Sequence, residues 1–358
     1  MDEQNDVIDG HSIYGEPGYL NLGRNILNKG VYRQEGNEFG RYELFAQPLK
    51  FNLLGNVLPL LTTKRVFFRG LAYEMLFFIG GETNIKFLKK NGINIWDIWA
   101  DENDEIGPLY GHQWNHWRVD PKLRPYIGSD EINQLSKTMK SLRDRPKARS
   151  HVITAWRPDH IPAMSIKPCH MLLQFYRAPL TLNQRLAHMS GVMTKDDYED
   201  AVLGVQERKN ESDEQVHSFL DKKEIPRDGV SLQMTQRSCD FYLGVPFNIG
   251  QYALLCSMVS HQLGCAPVEF TIMLNDVHIY ENHVEHIKTQ LDRELRPQPQ
   301  LFFNRLPNSI YDYTFKDFRL VGYNPHPKLP KGDVSEQGKP GNNLDLSKLE
   351  EHPPFDKN

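Results

Sequence analysis

The run Lys167-Pro168-Cys169-His170-Met171-Leu172-Leu173-Gln174-Phe175-Tyr176 decides the fold of this chain. From Met171 to Tyr176 it is short, apolar and aromatic, the composition of a buried strand. Pro168 has no N–H to give a ladder and suits a strand entrance. Cys169 is therefore placed at a strand mouth, where a side chain can face a cleft. A lone cysteine is more often a buried structural residue, so its meaning depends on what surrounds the strand.

Around this strand, helices and strands alternate without a regular rhythm. Arg149–Trp156 reads as a strand, preceded by an amphipathic helix over 129–143 that Pro146 ends. Downstream, Val230–Met234 reads as a strand, residues 252–263 as a long helix opened by Gly244 to Gly250, Phe270–Tyr280 as a strand and residues 281–291 as a helix. Leu301–Phe303 and Phe315–Leu320 read as short strands. Upstream, residues 1–18 read as a flexible arm, 19–28 as a helix and 42–53 as a strand. Residues 67–79 are apolar nearly all round, the mark of a core helix. Glu74 sits inside that helix, either as a helix-surface charge or as a buried acid, which is costly unless paired or protonated and would have a raised pKa. Trp96, Trp99, Trp114 and Trp117 crowd residues 95–117, as core packing or as a platform for a flat ligand. Residues 178–229 turn charged and read as a surface excursion. Residues 326–358 are rich in Pro, Gly, Lys and Asp and read as a disordered tail. The fold class expected is α+β, one domain with a mixed sheet covered by helices.

Composition narrows the function. A formal net charge of -4 over 358 residues gives no support to nucleic-acid coating or membrane-surface binding. No apolar stretch is long enough to span a membrane, and the acidic start Met1-Asp2-Glu3 is not a signal peptide. Four cysteines in a chain this long make no disulfide framework, which fits a reducing compartment. The glycine-rich loop at 30–40 has neither phosphate-loop nor dinucleotide fingerprint.

Four stretches together resemble the thymidylate synthase family: Pro168-Cys169-His170 with Gln174-Phe175; Gln236-Arg237-Ser238-Cys239-Asp240 with Leu243 to Ile249; Asp276-Val277-His278-Ile279-Tyr280-Glu281-Asn282-His283; and Ile95 to Asn103 with Gly107 to Gly111. The family comprises thymidylate synthases and the hydroxymethylases of dUMP or dCMP, all using 5,10-methylenetetrahydrofolate and no metal. The resemblance implies that Cys169 is the nucleophile toward C6 of the base, with Arg237 beside it to favour thiolate and grip phosphate. It implies that Ser238 and Gln236 join the nucleotide site, and that Arg149 completes the phosphate cradle from the partner of a homodimer formed through the sheet. Asn248 would read uracil, since cytosine-using members carry Asp there. His278 and Tyr280 would hold the ribose, Glu74 would relay protons through water, and Tyr110 would lie near the C5 proton. His170 would line the nucleotide pocket, while Trp96, Trp99, Asp240 and Ile166 would meet the folate. A cytoplasmic enzyme is implied, in a host cytoplasm if the source is a phage.

The chain departs from the family pattern in four places. The loop Arg33-Gln34-Glu35-Gly36-Asn37-Glu38-Phe39-Gly40-Arg41 offers two arginines where the family places one for phosphate. Arg149-Ser150 supplies one of a usual arginine pair, and residues 178–229 are an insertion. After Tyr323-Asn324-Pro325-His326-Pro327 the chain runs Lys328-Leu329-Pro330-Lys331-Gly332-Asp333, not the small apolar tail that closes over folate in synthases. Exclusion of water decides whether hydride or water ends the reaction, so 5-hydroxymethyl-dUMP is the expected product and dTMP the alternative. A non-catalytic binding role, a cysteine hydrolase using Cys169 and His170, and a metal site from His278, His283 and His286 are the readings from other classes. Neighbouring strand residues point to opposite faces, which disfavours the hydrolase, and no metal-ligand signature accompanies the histidines.

Overall fold

Six strands form the central sheet: β1 Val31–Arg33, β2 Arg41–Asn52, β3 Val152–Thr154, β4 His170–Pro179, β5 Asp228–Asp240 and β6 Ala266–Tyr280. The structure, a computed structural model, describes residues 7–8, 11–34, 39–208 and 212–330. The strand order is β1-β2-β6-β5-β4-β3. Only β5 and β6 pair in parallel; the other neighbours are antiparallel. The sheet is thus mixed, as expected. A parallel pair needs a long crossover, and the helix Gly244–Leu263 supplies it.

One face of this sheet makes the core. Leu232 and Met234 of β5 and Phe270, Ile272 and Leu274 of β6 are fully buried there. They pack in one cluster with Ile26 of α1 (Gly15–Lys29), with Leu71 and Met75 of α2 (Phe68–Gly80), and with the crossover helix. The opposite face is open. Gln174 and Tyr176 of β4 are exposed, Tyr176 at 66 %, and Phe45 of β2 at 75 %. The run 171–176, read as a buried strand, alternates between covered and exposed side chains.

Three boundaries differ from the sequence reading. Helix α1 begins at Gly15, inside the stretch read as an arm, because Glu16 is buried and receives the backbone N–H groups of Thr62 and Thr63. Residues 326–330, read as tail, are strapped to the core: the N–H of His326 donates to the Thr62 carbonyl, Arg293 reaches the carbonyl of Pro327, and the Tyr242 hydroxyl donates to that of Pro330. The rest of that tail lies outside the described residues. The excursion at 178–229 is ordered as helices at Leu182–Val192, Lys195–Glu207 and Asp213–Lys222 around a small core of Met189, Ala201, Leu220 and Ile225. The fully buried Arg185 staples the first of these helices to the third through Asp221 and the carbonyl of Ile225. Gly191 rests against Gly55, where a Cβ would lie 2.4 Å from the backbone, so only glycine permits the insert to seat this closely.

Candidate active site

Between α2 and β4 lies the short helix α3, Tyr110–Asn115. Gly111 presses on α2 with no room for a side chain, since a Cβ would sit 1.9 Å from the Phe78 carbonyl. Tyr110 takes a positive φ of 24°, a strained value for a residue with a Cβ. That approach brings its hydroxyl to the Cys169 backbone, which donates to it at 3.0 Å.

Cys169 stands immediately before β4, at the strand mouth that its position after Pro168 predicted. Its thiol lies 3.9 Å from Arg237 Nη2, and Arg237 also donates to the carbonyls of Pro168 and Lys167. Arg237 sits on β5, with Trp156 under its guanidinium at 5.9 Å. Burial pushes the Cys169 thiol up, and the nearby Arg237 and Tyr110 oppose that rise without cancelling it. The arginine favours thiolate as expected, but desolvation is the larger effect.

His170 stacks on Tyr110 at 4.9 Å and meets the Tyr252 hydroxyl through Nδ1 at 2.9 Å. Burial holds its pKa down to about 4, so the ring is neutral at physiological pH. Gln236 donates to Asn248 Oδ1 at 3.1 Å, and both are buried. A carbonyl oxygen has a second lone pair, so Asn248 retains accepting capacity. Glu74 is gripped on both oxygens, by Trp96 Nε1 at 2.6 Å and by Gln251 Nε2 at 2.7 Å. Burial pushes its carboxyl up to about 7 against the pull of these two hydrogen bonds. A carboxyl with that value can hold or release a proton at neutral pH.

At the end of β6, His278 and Tyr280 face one side with ring centroids 5.0 Å apart. Asp276 accepts from His278 Nδ1 at 3.0 Å. Asp276 is registered beside Ser238, and His278 beside Asp240, so these residues gather on adjoining strands. Asp240 Oδ1 accepts from the N–H groups of Tyr242 and Leu243, capping the turn into the crossover helix. Trp99 and Ile166 are half-buried and pack on the main core. Arg33 and Arg41 both pair with Glu43, and Arg41 lies opposite Tyr280. Arg149 is the one site candidate not gathered in: it is exposed, beside Gln174. Gln174 is five residues along β4 from Cys169, roughly 16 Å at strand rise.

Sequence reading missed Gln251, Tyr252, Trp156 and Lys64. Lys64 lies 3.4 Å over the Tyr242 ring, and burial lowers its pKa to about 7. Gln251 and Tyr252 follow Asn248 by three and four positions on one helix, the spacing that puts residues on a shared face; that signal was there to be used.

A half-buried thiol beside an arginine, with a carboxyl of raised pKa in the same core, is an arrangement that can support covalent catalysis on an anionic substrate. The chain matches the thymidylate synthase family over residues 17–196 and 215–334 and belongs to that family. It is accordingly a one-carbon transferase of nucleotide biosynthesis, from a family that acts on dUMP with methylenetetrahydrofolate as co-substrate. The match resumes at 215, so the part of the insert foreign to the family spans 197–214. Among the described residues no cluster of three or more His, Cys, Asp or Glu could hold a metal ion, and no helix is long and apolar enough to cross a membrane.

Proposed function

We propose that this chain is a dUMP hydroxymethylase. Cys169 adds to C6 of dUMP, C5 takes the one-carbon unit from methylenetetrahydrofolate, and water completes the product as 5-hydroxymethyl-dUMP. Adding sulfur to C6 turns C5 into an enolate carbon, which a free uracil does not offer. Arg237 and Ser238 bind the phosphate, and the same arginine, 3.9 Å from the thiol, favours its thiolate. Asn248, backed by Gln236, reads the uracil edge. His278 and Tyr280 hold the ribose, and Glu74 handles the protons. Trp99, Ile166 and Asp240 border the folate.

The observation that carries the hydroxymethyl outcome is the charged stretch Lys328 to Asp333, which stands where the closing apolar tail is expected in synthases. A lid that excludes water protects the methylene intermediate until hydride arrives; without it, water adds. Product analysis after incubation with dUMP and methylenetetrahydrofolate tests this. The expected products are 5-hydroxymethyl-dUMP and tetrahydrofolate. Equimolar dTMP and dihydrofolate overturn the proposal in favour of reductive methylation.

The exposed position of Arg149, far along β4 from its own Cys169, supports a homodimer built on the open sheet face, with Arg149 reaching the partner's phosphate. Cys169→Ser and Arg149→Ala chains, each inactive, are expected to regain activity when unfolded together and refolded as a mixture. No recovery in a mixture that forms dimers counts against action in trans.

A further inference from the structure

Gln251 is fully buried, and its amide is only half used. Its Nε2 donates to Glu74 Oε2 at 2.7 Å, while its Oε1 has no hydrogen-bond partner in the protein. A buried acceptor left without a donor is costly and is normally met by ordered water or a ligand. Gln236 nearby repeats the pattern: its Nε2 is used by Asn248 and by the Ser238 carbonyl, and its Oε1 is unpartnered and buried. Two orphaned acceptors therefore lie within one hydrogen-bonded step of Glu74 and of Asn248. What sets these two apart from the other unpartnered glutamine carbonyls is that their amide groups already hold Glu74 and Asn248.

We propose that Gln251 is a positioning residue of the reaction, whose N–H orients Glu74 and whose carbonyl holds the water through which Glu74 acts. This rests on the reading of Glu74 as the proton-handling group. In the hydroxymethyl outcome the held water is the reactant. Its oxygen bonds to the methylene carbon on C5, and its proton passes to the Glu74 carboxylate. The displaced electron pair re-forms the C5–C6 double bond as sulfur leaves C6, so the step needs no oxidant or reductant.

The other ionisable groups around Glu74 keep the assignment clean. Tyr110 on α3 and Tyr252 on the crossover helix are pushed well above their usual range by burial, Cys169 is pushed up, and His170 on β4 is held down to about 4. A rate-profile ionisation near neutrality that disappears in Glu74→Gln is therefore Glu74's.

The test uses the full chain with dUMP tritiated at C5 and methylenetetrahydrofolate, reading tritium release and product against pH. Gln251→Met keeps the volume and removes the amide. It is expected to slow turnover about 10- to 100-fold, the scale of one lost hydrogen bond to a charged group, and to move the Glu74 ionisation to higher pH. Gln251→Ser leaves room for water and is expected to recover part of the rate with the ionisation still displaced. A wild-type rate and an unmoved ionisation in Gln251→Met overturn the proposal. If Gln251→Met fails to bind dUMP, the Gln251→Ser profile decides, and an unmoved ionisation there overturns it. Wild-type behaviour in Glu74→Gln instead refutes the role of Glu74, which is a separate failure.

Discussion

Two carboxylates of this protein are almost equally buried, Glu16 at 4 % exposure and Glu74 at 7 %, yet they are held in different ways. Glu16 accepts from the N–H and hydroxyl groups of both Thr62 and Thr63 and from Gln298 Nε2. Those donors fill its lone pairs and fix the start of α1 to the segment leading into α2. Glu74 accepts from two side chains alone, Trp96 and Gln251, and desolvation leaves its carboxyl near 7. Burial by itself does not make a carboxylate reactive. The donors aimed at it decide what it holds: five tie Glu16 to the chain around it, while two side chains leave Glu74 with a carboxyl that burial pushes up.

The comparison is broken most directly by removing each charge. Glu74→Gln is expected to lower turnover by roughly 10²- to 10⁴-fold, the range for loss of a general acid–base group, while the melting temperature at pH 8 holds or rises. Glu16→Gln is expected to do the reverse. It aims an amide N–H₂ at groups that are themselves donors, and unsatisfied buried donors cost about 1–3 kcal/mol apiece. A stability loss of about 3 kcal/mol is expected, read by denaturant unfolding, with activity per folded molecule unchanged. Equal activity loss in both variants would erase the distinction.

Much of this contrast could be read before the fold was known, and part of it could not. Glu74 stood out because a charge interrupted an apolar helix, which left a surface charge or a buried acid as its two readings; its burial decides for the second. Glu16 gave no such signal: it lies among Gly15, Pro17 and Gly18, and its partners are some 46 residues away, a long-range relation that local pattern cannot reveal. Cys169 at the strand mouth, Arg237 beside it and the shared face of His278 and Tyr280 were legible from strand periodicity and the family resemblance. Trp96 was expected at the folate; that its indole N–H donates to Glu74 is a relation the sequence did not suggest. The insert was read as a charged excursion although Thr181-x-x-Gln184 and Ser212-x-x-Gln215 carry capping-box spacing, and both boxes form. Charge outweighed capping in that reading. The apolar run of β4 was read as a buried strand, but composition cannot say which face of a sheet lacks a covering layer; Tyr176 shows that one does.

The pH dependence of stability sharpens the comparison further. Glu74 titrates near 7 when folded, against an ordinary value of 4.5. Between those values the unfolded chain has released this proton and the folded chain still holds it. Stability therefore falls as pH rises through that window and levels off above it. Glu74→Gln removes the penalty, so its stability relative to wild type is expected to improve by about 2 kcal/mol between pH 5 and pH 8. Parallel unfolding curves at the two pH values check this, and an unchanged difference would mean that Glu74 ionises normally in the folded protein.

The smallest effect expected comes from thinning the grip on Glu74 without touching the carboxyl. Trp96→Phe keeps an aromatic ring against Phe78 and Tyr110, whose rings lie 6.3 and 6.1 Å from the indole, and deletes only the N–H. With one donor gone the ionised form is less favoured, so the Glu74 ionisation is expected to move to higher pH. Turnover at pH 7 is expected to fall about tenfold, the worth of one hydrogen bond to a charged group. The same deletion at the other carboxylate, Gln298→Leu, removes one donor of several and is expected to leave activity unchanged at every pH. If Gln298→Leu shifts the rate profile as Trp96→Phe does, the two carboxylates are coupled, and the difference in their donor sets is not what separates their roles.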